Sequence, residues 1–588
     1  MSAQTNPFWV DESKPWFRKE SGWPDEVPKN IDFPKKTLHR FFKEAAAQWP
    51  DHNALWFLDT YMTYRELDDL IDRFATALHR IGVKKGDVVA MLLPNSFQYV
   101  IGYYAVTALG AVVSGINPTY KPMEVLHQLK VVGAKTLIVL DALYQPQVAP
   151  IRDKSPLTTI VATNIVDLAA LSPLKKFLGR LLKKIPTGPT PADALRFSDM
   201  VRTEKAVPAV DIDPVEDAAT YIMTGGTTGT PKAAVLTHFN CVSNAMQCRA
   251  WVIGIKTGAA MVGVLPLFHS FAMVAVMNAS FTCGAWAMLF PKPPPMEDLV
   301  KTIIRIGPDR ATYFCGAEIL FKKIADMPNI SEYPISGKLD LCISGAGPLH
   351  RPVQEAFERI TGAKLVEGYG LTEASPVVSA SPFWGDRKLG TIGLPFPGTD
   401  WKIMDAEAGT REMGTGQDQA GEICVAGPQV MKGYLDRPDE TAETIRDIGG
   451  KKYLYTGDIG YMGSDGQITI CDRKKQLIKY KGYSVYPKEV EELVGGHDAV
   501  SEAAVAGIPD PEAGELIKAW VVLKPEHKGK LAVKDLLKWC EANMTHYKQP
   551  RLIEFRDDLP KSLIGKVMRR ELQEADPLYQ ERIAARKK

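Results

Sequence analysis

The sequence predicts an α/β protein: a large N-terminal domain of layered, mainly parallel sheets with helices, followed by a small, mobile α+β C-terminal domain. Three observations carry this expectation. From about residue 31 to 472, short apolar runs alternate with amphipathic stretches in strand–helix–strand order. After Asp472 the texture changes to that of a small α+β unit, residues 473–588. Between the two lies the charged, glycine-containing segment CDRKKQLIKYKGYSVYP, Cys471 to Pro487, where a boundary is expected. Residues 1–30 read as an N-terminal extension.

Taken in order, TYRELDDLIDRFATALHRIG (Thr63 to Gly82) repeats apolar residues at helical spacing and ends on glycine. DVVAMLLP (Asp87 to Pro94) and KTLIVLD (Lys135 to Asp141) read as buried strands. LKKFLGRLLKKI (Leu174 to Ile185) interrupts the alternation. It places Leu174, Phe177, Leu178, Leu181, Leu182 and Ile185 on one helical face, surrounded by Lys175, Lys176, Arg180, Lys183 and Lys184 with no acidic residue. Two readings fit: an interfacial membrane helix, or a surface helix packed on the protein with its lysines in water. AATYIMT (Ala218 to Thr224) and AAVLTH (Ala233 to His238) read as strands on either side of a glycine-rich hairpin. DLCISGAG, VQEAFERITG and AKLVEGYG (Asp340 to Gly370) form a strand–helix–strand unit. SEAAVAGIPD, IKAWVVLKPE and AVKDLLKWCEANM supply the small domain.

Composition excludes several classes. The 588 residues carry 71 basic and 69 acidic side chains, net +2, so no global field favours nucleic acid. The eight cysteines are scattered without a CxxC pair, which suggests free thiols in a reducing compartment. The charged, proline-containing N-terminus lacks the apolar run of a signal peptide, and no apolar stretch reaches membrane-spanning length. The C-terminus matches no lipidation or retention ending. A cytoplasmic protein is expected, with peripheral membrane association if the 174–185 helix is interfacial.

The chemistry starts at TGGTTGTPKA, Thr224 to Ala233, which can bury almost nothing. A hairpin of this composition exposes backbone N–H groups, hydroxyls and one ammonium, the groups that wrap phosphate oxygens. A plain turn fits the same residues, and a Walker loop does not, because Lys232 follows Pro231 and precedes Ala233. In EGYGLTE (Glu367 to Glu373), the glycines let a flat ring approach, Tyr369 can stack on it, and Thr372 and Glu373 offer oxygens to a hard cation such as Mg²⁺. YTGDIGYM (Tyr455 to Met462) is expected to place Asp458 on a tight turn, as an acceptor for two sugar hydroxyls. PKSLIGKVMRREL (Pro560 to Leu572) carries Lys566 after a glycine.

Taken together and in this order, these motifs resemble the adenylate-forming superfamily of acyl-CoA synthetases, firefly luciferase and amino-acid adenylation domains. The likeness runs from about Phe33 to Leu572. TGGTTG and VEGYGLTE look most like bacterial long-chain fatty-acid CoA ligases, and DRKKQLIKYKGY looks like the hinge shared with plant coumarate CoA ligases and luciferase. The resemblance implies that Thr224, Gly225, Gly226, Thr227, Thr228, Gly229 and Lys232 hold the β- and γ-phosphates of ATP. By the same likeness the segment from Gly345, Ala346 and Gly347 to Pro348 encloses adenine with Tyr369, Glu367 lies at its edge, and Gly368 belongs to the same ATP site. Thr372 touches the α-phosphate, Glu373 ligates Mg²⁺, and Asp458 with Arg473 grips the ribose. His269, Met273 and Gly370 line the acyl pocket. Lys475 falls at a hinge, Lys481 and Gly482 belong to that hinge and the CoA tunnel, and Lys566 is the catalytic lysine.

The sequence departs from the family pattern at Gly225, usually serine, at Ala233, usually glycine, and in the order SGAGP where many members have SGGAP. If Ala233 needed positive φ, the cost would be about 1 kcal/mol. The implied partners are ATP, CoA and a carboxylic acid, with a second copy of the chain as a candidate homodimer. An amino-acid substrate would need a buried carboxylate to meet its ammonium. Gly258 to Pro291, around His269, contains no Asp or Glu. A medium- or long-chain fatty acid is therefore expected; an aryl or alicyclic acid, or transfer to a carrier protein instead of CoA, are the alternatives.

Overall fold

The computed structural model describes residues 6–182, 184–224, 231–385, 387–481, 483–561 and 567–586. The chain divides into two compact units. The first comprises Met1–Leu389, Gly393–Asp400 and Val425–Leu454; the second comprises Gly390–Ile392, Trp401–Cys424 and Tyr455–Lys588.

Two sheets build the first unit. One has nine strands in the spatial order Leu394–Pro395, Val377–Ala380, Lys364–Gly370, Leu339–Ser344, Thr312–Gly316, Ala260–Gly263, Trp286–Leu289, Asn53–Phe57 and Thr60–Thr63. The six from Lys364–Gly370 to Asn53–Phe57 are parallel, and the remaining strands close the two edges antiparallel. The other sheet runs Gly433–Tyr434, Lys232–Thr237, Ala218–Thr224, Val112–Gly115, Val88–Leu92, Thr136–Leu140, Thr159–Thr163 and Leu195–Arg196. Its last six strands are parallel. The continuous apolar runs read from the sequence thus occupy parallel strands, which need cover on both faces.

Helices supply that cover. Tyr64–Arg80 starts on a capping box, in which the Thr63 hydroxyl accepts from the Glu66 N–H and the Glu66 carboxylate accepts from the Thr63 N–H. Phe97–Ala108 is buried at all twelve positions, as a helix that is apolar all round must be.

A third sheet, formed by Asp400–Met404, Gly421–Ala426, Lys451–Met462, Ile445–Ile448 and Ile468–Arg473, contributes to both units. The division falls within its strands after Asp400, Cys424 and Leu454. The rest of the second unit is a sheet in which Gly514–Leu523 pairs antiparallel with Val500–Asp510 and parallel with Leu552–Arg556. Helices Pro487–Gly495 and Val533–Asn543 supply Val490, Val494, Leu536 and Cys540 to a core that includes Val505, Ile517 and Val521.

All eight cysteines are free thiols, seven of them buried. Burial raises the Cys241 thiol to about 12, so it packs as a small apolar group. Among the described residues no helix is long and apolar enough to cross a membrane.

Candidate active site

The glycine-rich hairpin is closed at its base by Ala218–Thr224 and Lys232–Thr237, which pair antiparallel from Ala218 opposite Thr237 to Thr224 opposite Lys232. The expected phosphate ligands Gly225, Gly226, Thr227, Thr228 and Gly229 lie outside the described residues. Thr224 and Lys232 are described, and they face each other across the last rung. Ala233 pairs with Met223 inside the strand and is buried. It takes no positive φ, so the conditional cost assigned to it does not arise.

Strain of that kind sits instead at Ala346, φ +66°. Ala346 stands in SGAGP where the commoner order has glycine, so the swapped order moves an alanine into the left-handed region. Gly345, before it, is sterically required: a Cβ there would stand 2.8 Å from the Phe271 ring. The Glu367 carboxylate holds the far end of this loop by accepting from the Leu349 N–H at 3.0 Å. Glu367, Gly368, Tyr369 and Gly370 occupy the end of Lys364–Gly370, the edge of the parallel array, where Tyr369 pairs with Ser379. Gly370 admits no side chain, since its Cβ would lie 2.1 Å from the Pro376 carbonyl oxygen.

Thr372 and Glu373 form a single turn directly after this strand. The Thr372 hydroxyl lies 3.4 Å from the Ser270 hydroxyl, and Ser270 is fully buried. Ser270 therefore meets Thr372, and Phe271 meets the Gly345 loop. His269 accepts at Nδ1 from the Phe271 N–H at 3.3 Å, and burial lowers its pKa below the usual histidine value, so the ring is neutral. Met273 is buried at the start of the π-helical stretch Ala272–Asn278. Such stretches recur at functional sites.

Glu373 has a partner the sequence did not signal. The Tyr434 hydroxyl donates to Glu373 Oε1 at 2.9 Å, and Lys232 Nζ sits 4.4 Å from the Tyr434 ring centre. Lys232 also forms an ion pair with Glu440, which Arg437 approaches at 3.7 Å. Burial, then the Glu373 charge, pushes the Tyr434 phenol well above its ordinary value, so it remains a donor. Tyr434 reaches Glu373 because Gly433–Tyr434 adds an edge strand beside Lys232–Thr237. Among the described residues, Glu373 Oε2 is left without a hydrogen-bond partner. A carboxylate oxygen beside a threonine hydroxyl is a hard donor set, suited to Mg²⁺ with phosphate and water completing the shell. No group of three or more His, Cys, Asp or Glu able to hold a metal by themselves occurs among the described residues.

In the second unit, Asp458 does not lie on a tight turn. It is buried within the long strand Lys451–Met462, which Gly457 kinks by taking φ +74°. The kink keeps the chain in the ladder, where Asp458 pairs with Arg473 and their side chains meet at 2.8 Å. Arg473 and Asp458 are thus brought together through a sheet and not a turn. Buried Glu422, which sequence reasoning missed, accepts from the Gly457 N–H at 3.0 Å and pairs with Lys474 at 2.8 Å. Arg569 was missed as well: its Nη1 donates to Gln476 at 2.6 Å and its Nε to Glu491 at 2.6 Å, and Nη1 lies 3.8 Å from Asp472. Both signals were single charged residues without a motif of their own. Lys481 has φ +48° and donates its N–H to the Ala513 carbonyl at 2.8 Å. Gly482, Lys566 and the Lys475 side chain lie outside the described residues.

Comparison with known proteins gives the family. Residues 42–435 match the AMP-binding enzyme family and residues 489–566 the AMP-binding enzyme C-terminal domain. The chain is 38% identical to a long-chain-fatty-acid–CoA ligase of Bacillus subtilis, over 96% of this chain and 99% of that protein. It is 35% identical to one from Yersinia pestis, over 96% and 98%. Among solved structures it is similar to ATP-bound MatB from Rhodopseudomonas palustris, with a TM-score of 0.77 and 26% identity, covering 92% of this chain and 99% of that one. The chain therefore belongs to the AMP-binding enzymes of the adenylate-forming superfamily.

Proposed function

We propose that this AMP-forming ligase activates a medium- or long-chain fatty acid through an acyl-adenylate and transfers it to CoA. One observation carries the choice of acid. The segment Gly258 to Pro291, which has no Asp or Glu, brings Ser270 against Thr372 and Phe271 against the Gly345 loop, with His269 bonded to the Phe271 N–H. An acid bound there meets apolar groups and a neutral imidazole beside the residues proposed to hold the α-phosphate. A cationic substrate would be left unpaired. The names of the relatives point the same way.

A carboxylate resists nucleophiles because it is negative; joining it to AMP removes that charge and installs a leaving group. In the first half-reaction the acid's oxygen attacks the α-phosphorus and pyrophosphate leaves. In the second the CoA thiol attacks the carbonyl carbon, loses its proton and displaces AMP. Thr372 orients the α-phosphate, and Lys232, with the hairpin Thr224 to Gly229, binds the β- and γ-phosphates. Asp458 and Arg473 hold the ribose, and Lys566 brings a cation to the charge that develops on the α-phosphate. Glu373, steadied by Tyr434, is the residue that would hold Mg²⁺. When bound, the ion neutralises phosphate charge. A hinge at Asp472 to Lys475 lets Lys566 serve the first step and CoA enter for the second, with Lys481 and Gly482 beside its path.

The test is a competition. The purified protein is given ATP, Mg²⁺, CoA and equimolar fatty, aryl and alicyclic acids, and products are read by mass spectrometry. Fatty acyl-CoA is the expected product. Aryl-CoA would overturn the substrate assignment, and acyl-AMP without thioester would make a carrier protein the acceptor.

A further inference from the structure

We propose that the apolar face of the helix Pro173–Leu181 docks this protein onto an anionic lipid surface. Eleven large apolar side chains are exposed among the described residues, and five of them fall in the nine positions from Leu174 to Leu182. Leu174, Phe177, Leu181 and Leu182 are 61–66% exposed and Leu178 is 42% exposed. The other six are spread along the chain from Trp9 to Leu389. A surface helix normally turns its apolar stripe inward; this one turns it to water.

The body of the first unit grips the segment by its ends. The Lys175 N–H donates to the Ser172 hydroxyl and Lys176 Nζ reaches the Asp167 carbonyl. At the other end the Lys184 and Ile185 N–H groups both donate to the Gly179 carbonyl, at 2.8 and 2.9 Å. This turn folds the buried Ile185 back against Gly179, where its Cδ1 lies 2.5 Å from the position a Cβ would take. Asn164 then donates to the Pro186 carbonyl at 2.9 Å. Ile185 is the one member of the predicted stripe that is buried, and the other five are exposed.

Charge selects the occupant. Between Leu174 and Ile185 there are five basic residues and no acidic one, and Lys175 and Lys184 are exposed. Apolar side chains flanked by lysines suit the boundary between acyl chains and anionic headgroups. A second copy of the chain docked on the same face would set basic against basic, which disfavours a symmetric dimer there. The proposal rests on this geometry alone and holds whichever acid the enzyme takes.

The full-length protein is sedimented with vesicles of phosphatidylcholine alone, or mixed with phosphatidylglycerol, at low and high salt. Wild type is expected to bind the mixed vesicles and to lose most of that binding at high salt. Phe177→Ser/Leu181→Ser should bind about tenfold more weakly at either salt, and Lys175→Glu/Lys176→Glu should flatten the salt dependence. Both variants should keep full ligase activity on a dissolved, monomeric acid, which shows that they fold. Failure of wild type to bind, or equal binding by the Phe177→Ser/Leu181→Ser protein, overturns the proposal. So does a wild-type dimer in solution that this double variant converts to monomer, which would assign the face to a second copy.

Discussion

Tyr434→Phe removes one hydroxyl and keeps the ring under Lys232. In the intact protein that hydroxyl donates to Glu373 Oε1 at 2.9 Å, which fixes one oxygen of the carboxylate proposed to hold the metal. A hydrogen bond to a charged group is worth about 1.5–3 kcal/mol net, and water reaches this half-buried pair, so about 1.5 kcal/mol is expected. If the bond serves to orient Glu373 for the first half-reaction, the loss appears as roughly a tenfold fall in kcat/KM. ATP–pyrophosphate exchange, measured across a range of Mg²⁺ concentrations, isolates that step. The variant should show the slower exchange and a higher Mg²⁺ requirement, with its melting temperature little changed. Unaltered exchange and an unaltered Mg²⁺ profile would refute the orienting role; a lowered melting temperature with normal exchange would make the bond merely structural.

Three further outcomes are expected. Lys566→Ala should stop adenylation yet spare thioester formation from preformed acyl-adenylate, measured by supplying each half-reaction separately; equal loss of both would sink the assignment. Ala346→Gly should raise stability by about 0.5–1 kcal/mol in urea unfolding, because relief of the left-handed strain at φ +66° exceeds the extra chain entropy of glycine. His238 is fully buried, its Nδ1 accepts from the Leu38 N–H, and burial lowers its pKa from 6.5 to about 4. Its stabilising contribution is complete above pH 6.5 and is lost as pH falls toward 4, about 3 kcal/mol in all, since the unfolded chain takes up the proton first. His238→Gln should therefore show a shallower loss of stability over that interval than wild type in parallel denaturant titrations.

The sequence by itself determined the class of fold and the order of the chemistry. The apolar runs at Asp87 to Pro94 and Lys135 to Asp141, and the unit from Asp340 to Gly370, became parallel strands because an uninterrupted apolar strand has to be covered on both faces. Glycine and threonine at the hairpin, and Thr372 with Glu373 after a strand, each fit a plain turn taken singly, and only their joint order along the chain pointed to the family. Tertiary structure alone decided what depends on distant partners. Tyr434 reaches Glu373 across 61 positions of chain, and Glu422 reaches Lys474 across 52. Asp458 is presented by a kinked strand, a choice made by sheet pairing with Arg473 that local turn propensity could not foresee. Likewise the helix at Leu174 had the same periodicity whether its stripe faced the core or water. The structure buries Ile185 alone and leaves the other five exposed, since burial is set by what packs alongside and not by spacing along the chain.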